Sequence, residues 1–150
     1  MSGIIAIAGA LRAKNALSAL NLSANDIDTE AGRLLADALQ GNATLRKLDI
    51  SCNRIAGVWR EPGRMNLSGT YNGACLRALV EALGAKTCAL TDLSLRSNEL
   101  GVEAGEALAE WLTHGDCRLK RLDLQGNALG TTKEAVRQAC KAFRGLDASV

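Results

Sequence analysis

The sequence predicts an α/β solenoid in which short parallel strands line a concave face and a helix follows each strand on the outside. Three observations carry that prediction. A frame of the form L-x-x-L-x-L-x-x-N-x-L occurs four times, most fully in Leu90-Thr-Asp-Leu-Ser-Leu-Arg-Ser-Asn-Glu-Leu100. The copies recur at 28 or 29 residues, which leaves about 18 between frames, room for a true α-helix. Those intervening segments carry apolar residues at helical rather than alternating spacing.

The other frames are Leu17, Leu20, Leu22, Asn25, Ile27; Leu45, Leu48, Ile50, Asn53, Ile55; and Leu119, Leu122, Leu124, Asn127, Leu129. The step from Leu45 to Leu90 is longer, one repeat plus an insertion within residues 56–75. The frame is the signature of a leucine-rich repeat. Its alternating period resembles the ribonuclease-inhibitor-like class, which also includes the sensor arrays of NOD-like receptors, Ran GTPase-activating proteins and tropomodulin caps. That resemblance covers the chain apart from 56–75. It implies a right-handed β/α superhelix that works as a non-enzymatic protein–protein interaction scaffold. The alternatives it implies are a Ran-GAP-like GTPase regulator and a structural segment of a larger repeat protein. No residue here maps onto a catalytic motif of the Ran GTPase-activating proteins.

In chain order, Ile4–Leu11 aligns with Gly32–Leu39, so the chain opens in a helix that lacks its own strand. Strands are expected to begin near Ala19, Lys47, Asp92 and Arg121. The helix stripes are Leu34, Leu35, Ala38 and Leu39; Leu76, Leu79, Val80 and Leu83; Ala104, Leu108, Trp111 and Leu112; and Val136, Ala139, Cys140 and Phe143. Asp28 and Thr29 suit an N-cap, and Gly41, Gly84, Gly115 and Gly145 stand at the helix ends, where a left-handed residue is usual. Leu146 falls close to one period after Leu119 and opens a fifth strand. Residues 1–150 thus form one domain of about four repeats with partial repeats at both ends. Neither end shows a polar capping repeat, so self-association through uncapped ends is expected.

Asn25, Asn53, Asn98 and Asn127 sit where the chain leaves each strand. A buried amide there can satisfy the turn's backbone groups repeat after repeat, which makes the asparagine ladder structural. The concave face reads as three rows: Ala19, Lys47, Asp92, Arg121; Asn21, Asp49, Ser94, Asp123; and Ser23, Ser51, Arg96, Gln125. Of these, Asn21, Lys47, Asp49, Asp92, Arg96, Arg121, Asp123 and Gln125 are the candidate partner contacts. Four strands of this depth offer only roughly 300–400 Å². A standard interface needs about 800 Å² per partner, so further surface is required.

The insertion is the place to look for it. It holds Trp59 and Tyr71, two of the four aromatic residues, with Arg60 and Arg64, and these four are candidate partner contacts. Glu61-Pro62-Gly63-Arg64 fits a type II turn. The competing reading is a tolerated loop whose Val58, Trp59 and Leu67 pack back on the array.

Composition excludes several classes. Lys plus Arg number 18 against 16 Asp plus Glu, which favours neither nucleic acid nor membrane. Five cysteines without a C-x-x-C pair predict reduced thiols and an intracellular, cytoplasmic setting. Cys88 and Cys117 share a column with Ala43 and read as small buried positions; Cys52, Cys75 and Cys140 read as packing. His114 lacks the second ligand pair of a metal site and reads as a loop residue. Neither catalytic constellation nor phosphate loop is present, so no enzyme activity, metal or cofactor is expected.

Overall fold

The computed structural model describes every residue except Met1, Lys14, Asn15, Glu61, Pro62, Arg64, Met65, Gly115, Asp116, Cys117 and Arg144; Ser2, Arg60 and His114 are described in backbone only. Helix α1 (Ser2–Arg12) precedes strand β1 (Ala19–Asn21), α2 (Thr29–Leu39) and β2 (Lys47–Asp49). A hairpin of β3 (Val58–Arg60) and β4 (Leu67–Gly69) follows, then α3 (Ala74–Gly84) and β5 (Asp92–Ser94). The chain continues through α4 (Val102–His114), β6 (Arg121–Asp123), a 3₁₀ turn (Gly130–Thr132), α5 (Lys133–Ala142) and β7 (Asp147–Ser149).

The strands start where the frames put them, and β7 is the fifth strand expected from Leu146. They form one parallel sheet in the order β1-β2-β5-β6-β7. Its register aligns Ala19, Lys47, Asp92, Arg121 and Asp147 across the five strands. The middle residue of each strand points toward the helices, and Leu48, Leu93 and Leu122 are buried. Because no single repeat can bury this face alone, the stacked leucines form one continuous core.

Helix α2 shows how the sequence builds each layer. The Asp28 carboxylate accepts the Ala31 N–H at 2.8 Å and Glu30 lies in the first turn, both favourable at a helix N-terminus. Leu35, Ala38 and Leu39 are buried as expected, but Leu34 is only half-buried; Ala31, Gly32 and Ala36 complete the stripe. Gly32 allows α3 to approach closely, since a Cβ there would stand 2.5 Å from the Cys75 sulfur.

The helix ends depart from expectation. Gly145 takes the left-handed conformation at φ 81°, but Gly41 does not, and Gly84 is the last residue of α3. Asn42 closes α2 instead. It is buried, its Nδ2 donates to the Leu11 carbonyl at 2.7 Å, and its Oδ1 accepts the Thr44 and Leu45 N–H groups at 3.0 and 2.7 Å. One side chain thus ties the end of α1 to the start of the next strand. Because Asn42 turns inward, its neighbour Ala43 is exposed and the buried Ala43–Cys88 column does not form.

The asparagine ladder is present, with two departures. Asn53 Oδ1 accepts the N–H groups of Asn25 and Ile27 at 3.0 and 2.9 Å, and its Nδ2 donates to Leu22, Ile50 and Ser51 carbonyls at 3.0 Å each. Asn127 Oδ1 serves Asn98 and Leu100 in the same way. Asn98 Nδ2 donates to Ile50, Leu95 and Arg96 carbonyls, yet its buried Oδ1 has no partner among the described residues. By the register of the ladder its donors would be Asn53 and Ile55 N–H, at the point where the chain turns off into the hairpin. The second departure lies at the sheet edge. Asn25 is exposed and Leu17 is 42% exposed, because among the described residues β1 has a neighbour on one side only.

Candidate protein-interaction surfaces

The concave side of the sheet is a groove of about 490 Å³. It contains six of the eight concave residues named from sequence: Asn21, Lys47, Asp49, Asp92, Arg121 and Asp123. Arg96 and Gln125 stand one step further along and are bonded to each other at 2.9 Å. Asp147 and Ser149 of β7 complete the groove, and sequence reasoning did not place them there although Leu146 announced the strand.

The first row alternates in sign: Lys47, Asp92, Arg121, Asp147. Asp92 and Arg121 form a close ion pair across adjacent strands. Desolvation pushes the Asp92 carboxyl upward, but bonds from the Thr91 hydroxyl and Arg121, with the charges of Arg121 and Lys47, outweigh it and hold its pKa below the ordinary value. In the second row, Asp49 Oδ1 accepts from the Ser51 N–H at 2.9 Å and its hydroxyl at 2.6 Å. Asp123 Oδ1 accepts the Gln125 N–H at 2.9 Å, and Asn21 receives the Ser23 N–H at 2.8 Å. These are Asx turns that start the exit from each strand. The row therefore has a structural role, while its charges still face the groove.

The insertion is an antiparallel hairpin that pairs Val58 with Gly69, Trp59 with Ser68 and Arg60 with Leu67. Trp59 is half-buried. The Arg54 guanidinium lies 5.3 Å from its ring centroid and pairs with Asp26 at 2.9 Å. On the other strand Gly69 (φ 87°) leaves room for the ring: a Cβ there would come within 2.5 Å of Trp59 Cζ3. Trp59 walls two clefts, one of about 450 Å³ with Asp28, Thr29 and Asn72, and one of about 200 Å³ with Cys52, Asn53, Ser97 and Glu99. Its ring is thus partly packed on the array and partly open to these clefts.

Tyr71 is half-buried against the core beside Arg77. Burial, reinforced by the Glu103 carboxylate and opposed by Arg77, raises its phenol pKa. Gly63 has φ 78°, while Glu61, Pro62 and Arg64, the other residues of the expected turn, lie outside the described residues. The side chain of Arg60 and the whole of Arg64 lie outside the described residues, as do Pro62, Cys117 and the His114 side chain.

Among the described residues no three His, Cys, Asp or Glu side chains are grouped to hold a metal ion, and no helix is long and apolar enough to cross a membrane. The Cys75 thiol is pushed up to about 12 by burial, and burial also raises Cys88 and Cys140. These are packing positions rather than nucleophiles. Cys52, by contrast, is exposed in a left-handed turn residue at φ 53° and does not pack.

Comparison with known proteins agrees with this geometry. A profile for the family described as "Leucine Rich repeat" matches residues 41–58 and 88–109, which contain the second and third frames. This chain is a leucine-rich repeat protein. Over 128 residues it is 32% identical to "NACHT, LRR and PYD domains-containing protein 5" of Bos taurus. That match covers 85% of this chain and 10% of the relative, so the chain spans about a tenth of the relative's length. Among solved structures it is similar to leiomodin-1 actin-binding site 2, with TM-score 0.66 and 17% identity, covering 97% of this chain and 75% of the other. It is likewise similar to a tropomodulin C-terminal domain from Caenorhabditis elegans, with TM-score 0.67 and 16% identity, covering 97% and 80%. At those identities the likeness establishes the leucine-rich repeat solenoid.

Proposed function

We propose that this leucine-rich repeat array is a non-enzymatic scaffold of the ribonuclease-inhibitor-like type. It recognises a protein partner on its concave groove, with the Trp59 hairpin as a second contact. One observation carries the reading. The groove side chains stand in register across five strands on the face that the leucine core does not use. Five strands at about 4.8 Å spacing supply roughly 400 Å². The hairpin offers added surface, with Trp59 beside Cys52, Asn53 and Ser97 where the chain leaves the strands. Buried thiols at Cys75, Cys88 and Cys140 support a reducing, cytoplasmic setting.

The groove is tested by replacing Asp49 and Asp123 with Lys. Both carboxylates accept a turn N–H that lysine cannot, so the urea midpoint is expected to fall slightly while the variant stays folded. Chemical cross-linking is expected to recover the wild-type partner at least tenfold less well, since like charges across an interface repel. Equal recovery by the variant would remove the groove from the reading. A scaffold also leaves GTP hydrolysis by purified small GTPases at its basal rate; acceleration would favour the Ran-GAP-like alternative.

Association of the isolated chain is a separate expectation. Ile5 on α1 is 56% exposed, Leu17 is exposed beside β1, and among the described residues the outer edges of β1 and β7 are open. Open strand edges flanked by apolar side chains promote pairing. Light scattering on the 150-residue chain is expected to show mass rising with concentration. A concentration-independent monomer contradicts this.

A further inference from the structure

We infer that the concave groove selects a cationic segment of its protein partner, one that presents two Lys or Arg side chains two strand spacings apart. This rests on the reading of the groove as the recognition surface and names the chemistry of what binds there.

The charge balance motivates it. The groove is lined by two cations, Lys47 and Arg121, and four carboxylates, Asp49, Asp92, Asp123 and Asp147. Its formal charge is therefore −2, while the whole chain carries +2. This groove is thus opposite in sign to the chain as a whole.

The surplus can be located. In the first row each carboxylate adjoins a cation on the next strand: Arg121 pairs with Asp92, Lys47 favours the charged form of Asp92, and Asp147 favours that of Arg121. That row neutralises itself. Asp49 and Asp123 lie in the second row with Ser94 between them on β5. Each spends one oxygen on a backbone N–H two residues ahead, which orients the carboxylate without cancelling its charge.

Two strand spacings separate Asp49 from Asp123, about 9.6 Å. That is too wide for one metal ion, whose oxygen ligands lie at about 2.3–2.6 Å. Phosphate backbones are repelled by the same charges. In an extended polyproline-like segment, side chains three positions apart lie on one side and are separated by about 9.3 Å. A concave wall of one sign also concentrates field lines and draws the oppositely charged segment in.

The test is an NMR titration of the full ¹⁵N-labelled chain with three acetylated, amidated peptides that differ only at two positions three apart: Arg, Gln or Glu. The Arg peptide is expected to shift the amides of Asp49, Ser94 and Asp123, at a dissociation constant of about 1 mM. Its affinity should fall as salt rises. In the Asp49→Asn/Asp123→Asn chain it should weaken at least tenfold; asparagine keeps the acceptor for the turn and removes the charge. Equal binding of the Arg and Gln peptides, or of the Arg peptide to both chains, overturns the inference. If the Glu peptide shifts the groove amides instead, the groove binds peptides but its charge preference is misassigned. If no peptide shifts them at about 5 mM, the inference and the groove reading fall together.

Discussion

Replacing Asn53 by Ala is expected to cost about 3 kcal/mol of unfolding free energy, the top of the range for orphaned buried polar groups. The side chain makes five hydrogen bonds to the backbone, two accepted and three donated, and spans two repeats. Truncation strips buried N–H and C=O groups of a partner. Asn98→Ala should cost less, about 1–3 kcal/mol, because its Oδ1 already lacks a partner among the described residues. Asn25, exposed at the sheet edge, should cost least. Urea unfolding measures all three. The order Asn53, Asn98, Asn25 is the expected result, and equal midpoints for all three and the wild type would remove the ladder's structural role.

Trp59→Ala is expected to weaken partner binding by about 2 kcal/mol, the scale of a truncated aromatic anchor. Its effect on stability should be smaller. The ring stacks on one arginine at a partly exposed site, worth about 0.5–1 kcal/mol, and packs on Gly69 within the hairpin rather than in the leucine core. Isothermal titration with the captured partner, beside urea melts, separates the two. A variant that loses as much in stability and binds normally would make Trp59 a packing residue.

Much of the fold was legible because the frame repeats. One periodic pattern specifies strand position, inward leucines and turn asparagines at once, and every strand of the main sheet starts within a residue of its expected place. The illegible parts are those that depend on a neighbour the frame does not encode. Leu17 and Asn25 fit the pattern yet lie open, since burial there needs a repeat on the far side. Asn42 stands outside the frame, and its capture of the Leu11 carbonyl depends on where the previous helix ends. Its signal was present: an asparagine two residues ahead of Thr44, the spacing of an Asx turn. The hairpin could be read as an interruption, but the Arg54 stack over Trp59 could not, because strand pairing inside the insertion sets it. Asn98 Oδ1, without a partner among the described residues, is likewise invisible in a frame that matches at every position.

Deleting Gly57–Asn72 tests the account most directly. The deletion brings Leu45 and Leu90 to the same separation as Leu90 and Leu119, the regular period. In the regular array the Asn53 and Ile55 N–H groups are expected to supply the donors that Asn98 Oδ1 lacks among the described residues. The shortened chain is expected to unfold at a urea midpoint no lower than the full chain, and to fail to recover the partners that the full chain captures. Recovery of the same partners by a folded, shortened chain would contradict recognition by the hairpin and groove together.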